Sequence, residues 1–140
     1  MTLRFEWLGL AEAAIEDGRG VNTLVGLNQN VIVTEQLPIV AKRAVVVILV
    51  AEGDPALEPG SDLTLEISVE APDDRRLMSA TQTIQIGEPK WPGIPGGVNV
   101  AAQLQMSLSK YGTYRIRCTA IAESTDDTIE ATKELFVVEP

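Results

Sequence analysis

The sequence predicts an all-β fold in a single domain, residues 1–140: a β-sandwich of about eight mostly antiparallel strands, immunoglobulin-like or jelly-roll-like, with no disulfide. Three observations carry this. Several segments alternate apolar and polar residues with a period of two, the spacing of a strand wet on one face. Turn-forming clusters punctuate the chain at intervals suited to short strands. The apolar content, 45 %, is aliphatic rather than aromatic, the aromatic share being only 4 %, and β-branched aliphatics suit a pleated surface.

Taken in order, the first segment is the ambiguous one. Leu3, Trp7, Ala11 and Ile15 fit a helical stripe, whereas Leu3, Phe5, Trp7, Ala11 and Ala13 fit one face of a strand. Periodicity does not decide between them. Glu16-Asp17-Gly18-Arg19-Gly20 can close a hairpin, glycine taking the positive φ angles. Strands are expected at 21–27 and 31–35, separated by Asn28-Gln29-Asn30. Residues 44–51 are apolar on both faces, which suits a central strand covered on each side.

The rows of period two are clearest in the second half. Leu63, Leu65, Ile67 and Val69 alternate with Thr64, Glu66, Ser68 and Glu70. Val98, Val100, Ala102, Leu104, Met106 and Leu108 alternate with polar or small partners, and Tyr114, Ile116, Cys118 and Ala120 form a third row. Strands are also expected at 81–86 and 128–138 from their β-branched residues. Residues 87–97, with three prolines and four glycines, can be neither helix nor central strand. The core is therefore expected to centre on Val47, Leu49, Leu65, Ile67, Leu104, Met106, Tyr114 and Ile116.

Short motifs along nearly the whole chain carry a likeness to a known family. They are an early Ala-rich strand (Leu10-Ala11-Glu12-Ala13-Ala14-Ile15), the Asp17-Gly18 hairpin and Asn22-Thr23-Leu24-Val25-Gly26. Leu37-Pro38, leading a central strand, and Gly112-Thr113-Tyr114-Arg115-Ile116 complete the set. In these the chain resembles a bacterial domain family of unknown function, whose members are small single-domain β-sandwich proteins. The resemblance implies that 3–15 is a strand, and it implies no activity. Gly112-x-Tyr114 is also similar to the start of a late strand in immunoglobulin-like sandwiches, where a tyrosine caps a corner. Ile116, two residues on, stands where the disulfide form has cysteine.

Composition excludes several functions. Twenty acidic against eleven basic residues leave a net charge of −9. A polyanion-binding surface needs Lys and Arg to neutralise phosphates, so neither nucleic acid nor an anionic membrane is expected as a partner. Lys42-Arg43 and Arg115/Arg117 are too small as basic patches to reverse that. The apolar run 44–51 is far shorter than the ~20 residues of a membrane helix. No signal peptide is expected from the N-terminal residues, and the cytoplasm is the expected compartment. With one cysteine, Cys118, no intrachain disulfide can form.

The chain contains no histidine, which removes Ser-His-Asp and Cys-His arrangements and His-ligated zinc. Cys118 falls on the inward face of its strand and is expected to be a structural thiol. No catalytic residue, cofactor or phosphate-binding loop is expected, and the protein is not expected to be an enzyme. Two candidate sites remain. Trp91, Pro92, Ile94 and Pro95 place large apolar groups in an irregular segment. They can anchor a protein partner or a second copy of the chain, or they can fold down over the open end of the core. The alternative is a small-ligand or calcium-binding role for Asp73, Asp74, Asp126 and Asp127, aided by Glu52, Asp54 and Asp62, if these acidic loops gather at one end of the sandwich. Asp is common in turns for local reasons as well. The expected function is thus a non-enzymatic interaction or structural protein, a class that includes phage or particle accessory subunits, presenting loops or a sheet edge to a protein partner or to itself.

Overall fold

The computed structural model describes residues 3–16, 22–51, 60–86, 96–123 and 127–140, and among them nine strands in two sheets form a sandwich. The strands are β1 (Leu3–Glu16), β2 (Asn22–Leu27), β3 (Val31–Val33), β4 (Ile39–Ala51), β5 (Asp62–Glu70), β6 (Arg76–Gln85), β7 (Gly96–Leu108), β8 (Gly112–Ala122) and β9 (Asp127–Val138). One sheet has the order β2-β1-β4-β7 and the other β3-β9-β8-β5-β6. Every pairing is antiparallel except β3 with β9, which is parallel.

The period-two rows point where the alternation placed them. All eight expected core residues are buried, from Val47 and Ile116, fully enclosed, to Ile67 and Leu104 at 5 % exposure. Leu10, Val45 and Leu49 of the first sheet belong to one apolar core with Leu65, Leu135 and Tyr114 of the second. The core is mainly aliphatic, and among the described residues the Tyr114 ring is its largest fully buried side chain.

β4 lies between β1 and β7 and is apolar on both faces for two reasons. Val45, Val47 and Leu49 enter the main core. Ala44 and Val46, on the opposite face, are buried in a second cluster with Ala11, against which Trp7, Leu24 and Ala101 pack. β1 serves both clusters because its phase changes midway. Its register against β4 shifts between Phe5 and Trp7, as at a β-bulge. Before the shift Leu3 and Phe5 meet the main core; after it Leu8 and Leu10 do, and Trp7 and Ala11 meet the second cluster. The segment is therefore a strand, as the family resemblance implied. The single face of Leu3, Phe5, Trp7, Ala11 and Ala13 is corrected, since the bulge sends Phe5 and Trp7 to opposite sides.

Two further boundaries differ from the sequence expectation. β6 begins at Arg76, not at 81, and β4 begins at Ile39, not at 44. In β6 the early residues are partly or fully exposed on both faces, so they show no alternation, and pairing with β5 supplies the strand instead. β7 and β8 lie in different sheets, so the chain crosses the sandwich at 109–111. There Tyr114, 1 % exposed, closes the corner expected of it, and Gly112 makes the approach possible. Its φ is 134°, and a Cβ there would lie 2.9 Å from the Pro72 ring.

Candidate functional site

Trp91, Pro92, Ile94 and Pro95 lie outside the described residues, in the segment 87–95 that joins the ends of β6 and β7. Asp126, Glu52 and Asp54 also lie outside them. The remaining acidic candidates fall at both ends of β5. Asp73 and Asp74 sit in the turn after β5, beside the start of β8, because Glu70 pairs with Arg115. Asp127 opens β9 opposite Ala122, and Ala122 lies in register with the region where β5 begins, at Leu63. Asp73 and Asp74 are thus separated from the start of β9 at Asp127 by the length of β5, about 20 Å at ~3.3 Å per residue. The topology sets Asp73 and Asp74 apart from the start of β9, whereas Asp62, at the start of β5, lies at the Asp127 end. Among the described residues no group of three Asp, Glu or Cys side chains is placed to hold a metal.

Asp73 and Asp74 have local partners instead. The Lys110 ammonium donates to Asp73 Oδ2 at 2.6 Å, and the Arg75 amide donates to Asp73 Oδ1 at 3.2 Å. The Lys110 hydrogen bond, foremost, holds the Asp73 carboxyl below its ordinary pKa. Asp74 adopts a φ of 68° in the turn, donates its amide to Ala71 O at 2.9 Å, and pairs with the Arg115 guanidinium. These are the backbone-bonding and turn roles that make Asp common in such places.

The Arg115/Arg117 patch is neutralised too. On the outer face of the five-stranded sheet Arg115 and Arg117 each reach Glu70 at 3.4 Å, and Arg117 also reaches Glu130 at 3.5 Å. Arg43 donates to the Gln29 and Lys42 carbonyls. Cys118 is fully buried, and desolvation pushes its thiol up to about 12, so it carries no thiolate reactivity near neutral pH. An open cleft of about 590 Å³ lies between Glu12 and Ala13 of β1, Ile32 of β3 and the start of β4. Its walls mix aliphatic groups with Glu12, Lys42 and Arg43.

The feature that separates this surface from an ordinary sandwich is the chemistry of its sheet edges. Edge strands expose a row of unpaired N–H and C=O groups, and sandwiches usually blunt them with Lys, other charges or proline. β2, β3, β6 and β7 are the edges among the described residues. Their sequences contain one charged residue, Arg76, at the first position of β6, and no proline. The charges stand on interior strands: β1 and β9 have four each and β5 has three.

Edge β3 shows the geometry. The Phe136 amide donates to Asn30 O at 2.8 Å and the Thr34 amide to Val138 O at 3.1 Å. In a parallel ladder the alternate residues, Val31 and Val33, then point their backbone groups away from β9. Their side chains are 50 % and 60 % exposed, and Val25 and Leu27 on the β2 edge are 44 % and 52 % exposed. These edges are the candidate interaction site. Sequence patterning did not single them out, because being an edge depends on which distant strands pair.

The likeness to solved structures concerns the fold. The chain resembles part of a putative β-galactosidase from Bacteroides fragilis with a TM-score of 0.53 and 17 % identity, over 74 % of this chain and 15 % of that one. It resembles part of the Bacteroides uniformis β-glucuronidase with a TM-score of 0.51 and 14 % identity, over 92 % of this chain and 13 % of that one. The chain thus spans about one seventh of either enzyme. The CARDB domain of a Pyrococcus furiosus protein, solved with di-metal ions, aligns over 99 % of this chain and 93 % of its own, with a TM-score of 0.46 and 12 % identity. No curated protein matches the sequence. The family, in contrast, is matched along residues 6–137, almost the full length: the chain belongs to DUF6941, a family of unknown function.

Proposed function

We propose that this chain is a non-enzymatic interaction or structural protein that joins a protein partner, or copies of itself, through its sheet edges. The observation that carries this reading is the absence of charge and proline from the four edges, apart from Arg76, in a chain of net charge −9. An edge kept free of blunting groups presents backbone donors and acceptors to an incoming strand. The exposed Val25, Leu27, Val31 and Val33 add apolar surface to two of these edges. Residues 87–95, with Trp91 and Ile94, link the other two and supply the loop component of the same proposal.

The test places a lysine on each edge in turn: Val25→Lys on β2, Val33→Lys on β3, Thr81→Lys on β6 and Gln103→Lys on β7. All four side chains are exposed, so each change should alter stability by less than about 0.5 kcal/mol. Self-association is followed by sedimentation, and partner binding by co-purification from a native extract. Loss of either in at least one variant, with the melting temperature unchanged, supports the reading. A chain whose associations are indifferent to all four lysines defeats it.

A further inference from the structure

We propose that β6 is a homodimer edge: β6 of two copies pair antiparallel across a two-fold axis at Thr81, joining two five-stranded sheets into one. This rests on the edge reading above and names its surface and partner.

β6 is the least covered of the long strands. Residues 79–83 are exposed without a break, although Leu65 and Ile67, next to them on β5, are 1 % and 5 % exposed. Gln82 stands opposite Leu65 and Ala80 opposite Ile67, so both share the inward face of the sheet and are nonetheless wet. The centre of β6 therefore overhangs the sandwich: among the described residues, 79–83 are open on both faces and nothing pairs with the strand's outer edge, while Met78 and Ile84 pack against the core on either side. The run 77–85, Leu-Met-Ser-Ala-Thr-Gln-Thr-Ile-Gln, has no charge, no proline and no glycine to oppose pairing.

The occupant is argued from the sequence of β6 itself. An antiparallel pair centred on Thr81 sets Thr81 against its own copy, Ser79 against Thr83, Ala80 against Gln82, and Met78 against Ile84. Hydroxyls meet hydroxyls on the outer face and the two large apolar residues meet on the inner face, the cross-strand pairs that stabilise sheets. Moving the axis by one residue to either side sets Met78 against Gln82, or Ile84 against Ala80. The charges at the ends agree as well. Arg76 opens β6, whereas Asp62 on β5 lies beside Gln85 at its far end. The two-fold brings Arg76 of each copy toward the Asp62 end of the other, twice by symmetry.

The experiment is sedimentation equilibrium of the full chain at concentrations from about 1 µM to about 1 mM, since dimerisation follows mass action. The wild type should dimerise, and Thr81→Lys, which sets two lysines face to face, should weaken dimerisation at least about tenfold. Thr81→Glu should do the same. An equimolar mixture of Thr81→Lys and Thr81→Glu should recover association to within about threefold of the wild type, because only a pair centred on Thr81 sets these two opposite each other. A monomeric wild type, or a mixture no better than either variant alone, overturns the proposal. Association that Val25→Lys, Val33→Lys or Gln103→Lys abolishes while Thr81→Lys leaves it intact also overturns the β6 pair, yet keeps the broader edge reading. Indifference to every edge lysine overturns both.

Discussion

Tyr114 and Lys110 lock the crossing between the two sheets: the Tyr114 hydroxyl donates to the Lys110 carbonyl at 2.8 Å and accepts from the Lys110 amide at 3.1 Å. A single buried oxygen thus satisfies both backbone groups of a residue four positions upstream, where the chain leaves β7 and cannot satisfy them by strand pairing. Tyr111 makes a lesser latch, its hydroxyl donating to Thr34 O at 2.9 Å. Tyr114→Phe keeps the ring in the core and removes both bonds, so urea denaturation should show a loss of about 1–3 kcal/mol. Tyr111→Phe, which frees only a carbonyl on the partly exposed side, should lose about 1 kcal/mol or less. Equal losses would show that the corner is held by ring packing and not by the hydroxyl.

The alternation along β7 supports a second comparison. Leu104 is 5 % exposed, and its neighbour Gln103 points outward. Leu104→Ala removes packed methyl groups from between the sheets and should lose roughly 2–5 kcal/mol. Gln103→Ala should stay within about 0.5 kcal/mol of the wild type. A Leu104→Ala variant no less stable than Gln103→Ala would mean that the core has no contact of consequence there.

How much of this was legible in the sequence depends on whether each strand has one wet face. β5, β7 and β8 do, and their inward residues read directly from the period of two. β1 does not, because the shift between Phe5 and Trp7 resets its phase, and a bulge leaves no mark in hydropathy when both faces are apolar. The first half of β6 is silent for the opposite reason: both its faces are wet, so nothing alternates. Asp73 and Asp127 looked like members of one cluster because chain order does not say which end of a sheet a turn occupies. The uncharged edges were hidden for the same reason, as β6 and β7 become edges only once β5 and β4 have taken their other sides. Tyr114 was legible because its glycine and its spacing are local.

The second apolar cluster predicts a specific sensitivity at Gly9. A Cβ at that position would lie 2.4 Å from the Trp7 ring, too close for any real contact, and the ring is packed against Ala11, Ala44 and Val46. Gly9→Ala must therefore lift Trp7 off the outer face of the four-stranded sheet. The expected loss is about 1–3 kcal/mol, accompanied by a red shift of tryptophan fluorescence as the indole enters water. Trp7→Leu should relieve the clash, so Gly9→Ala in that background should lose much less. Additive losses in the double variant would show that the glycine serves the backbone alone.

Cys118 links the core to the alkaline limit of stability. Burial pushes its thiol up to about 12, whereas the unfolded chain ionises it near 9.0, its ordinary value. Below the unfolded value both states hold the proton, and the native preference for a neutral sulfur is fully expressed. As the pH rises from about 9 toward about 12 the unfolded state has lost its proton and the native state has kept it. The unfolded state then binds fewer protons, so stability must fall with rising pH through this window. Cys118→Ala abolishes that contribution. Because the other ionising groups are common to both proteins, the difference between the two pH profiles should decline above pH about 9 and stay flat below it. A thiol reagent should leave the native protein unmodified at neutral pH and label it on unfolding, as expected of a fully enclosed sulfur. Rapid labelling of the native state, or parallel pH profiles, would show that Cys118 is reached by solvent without unfolding.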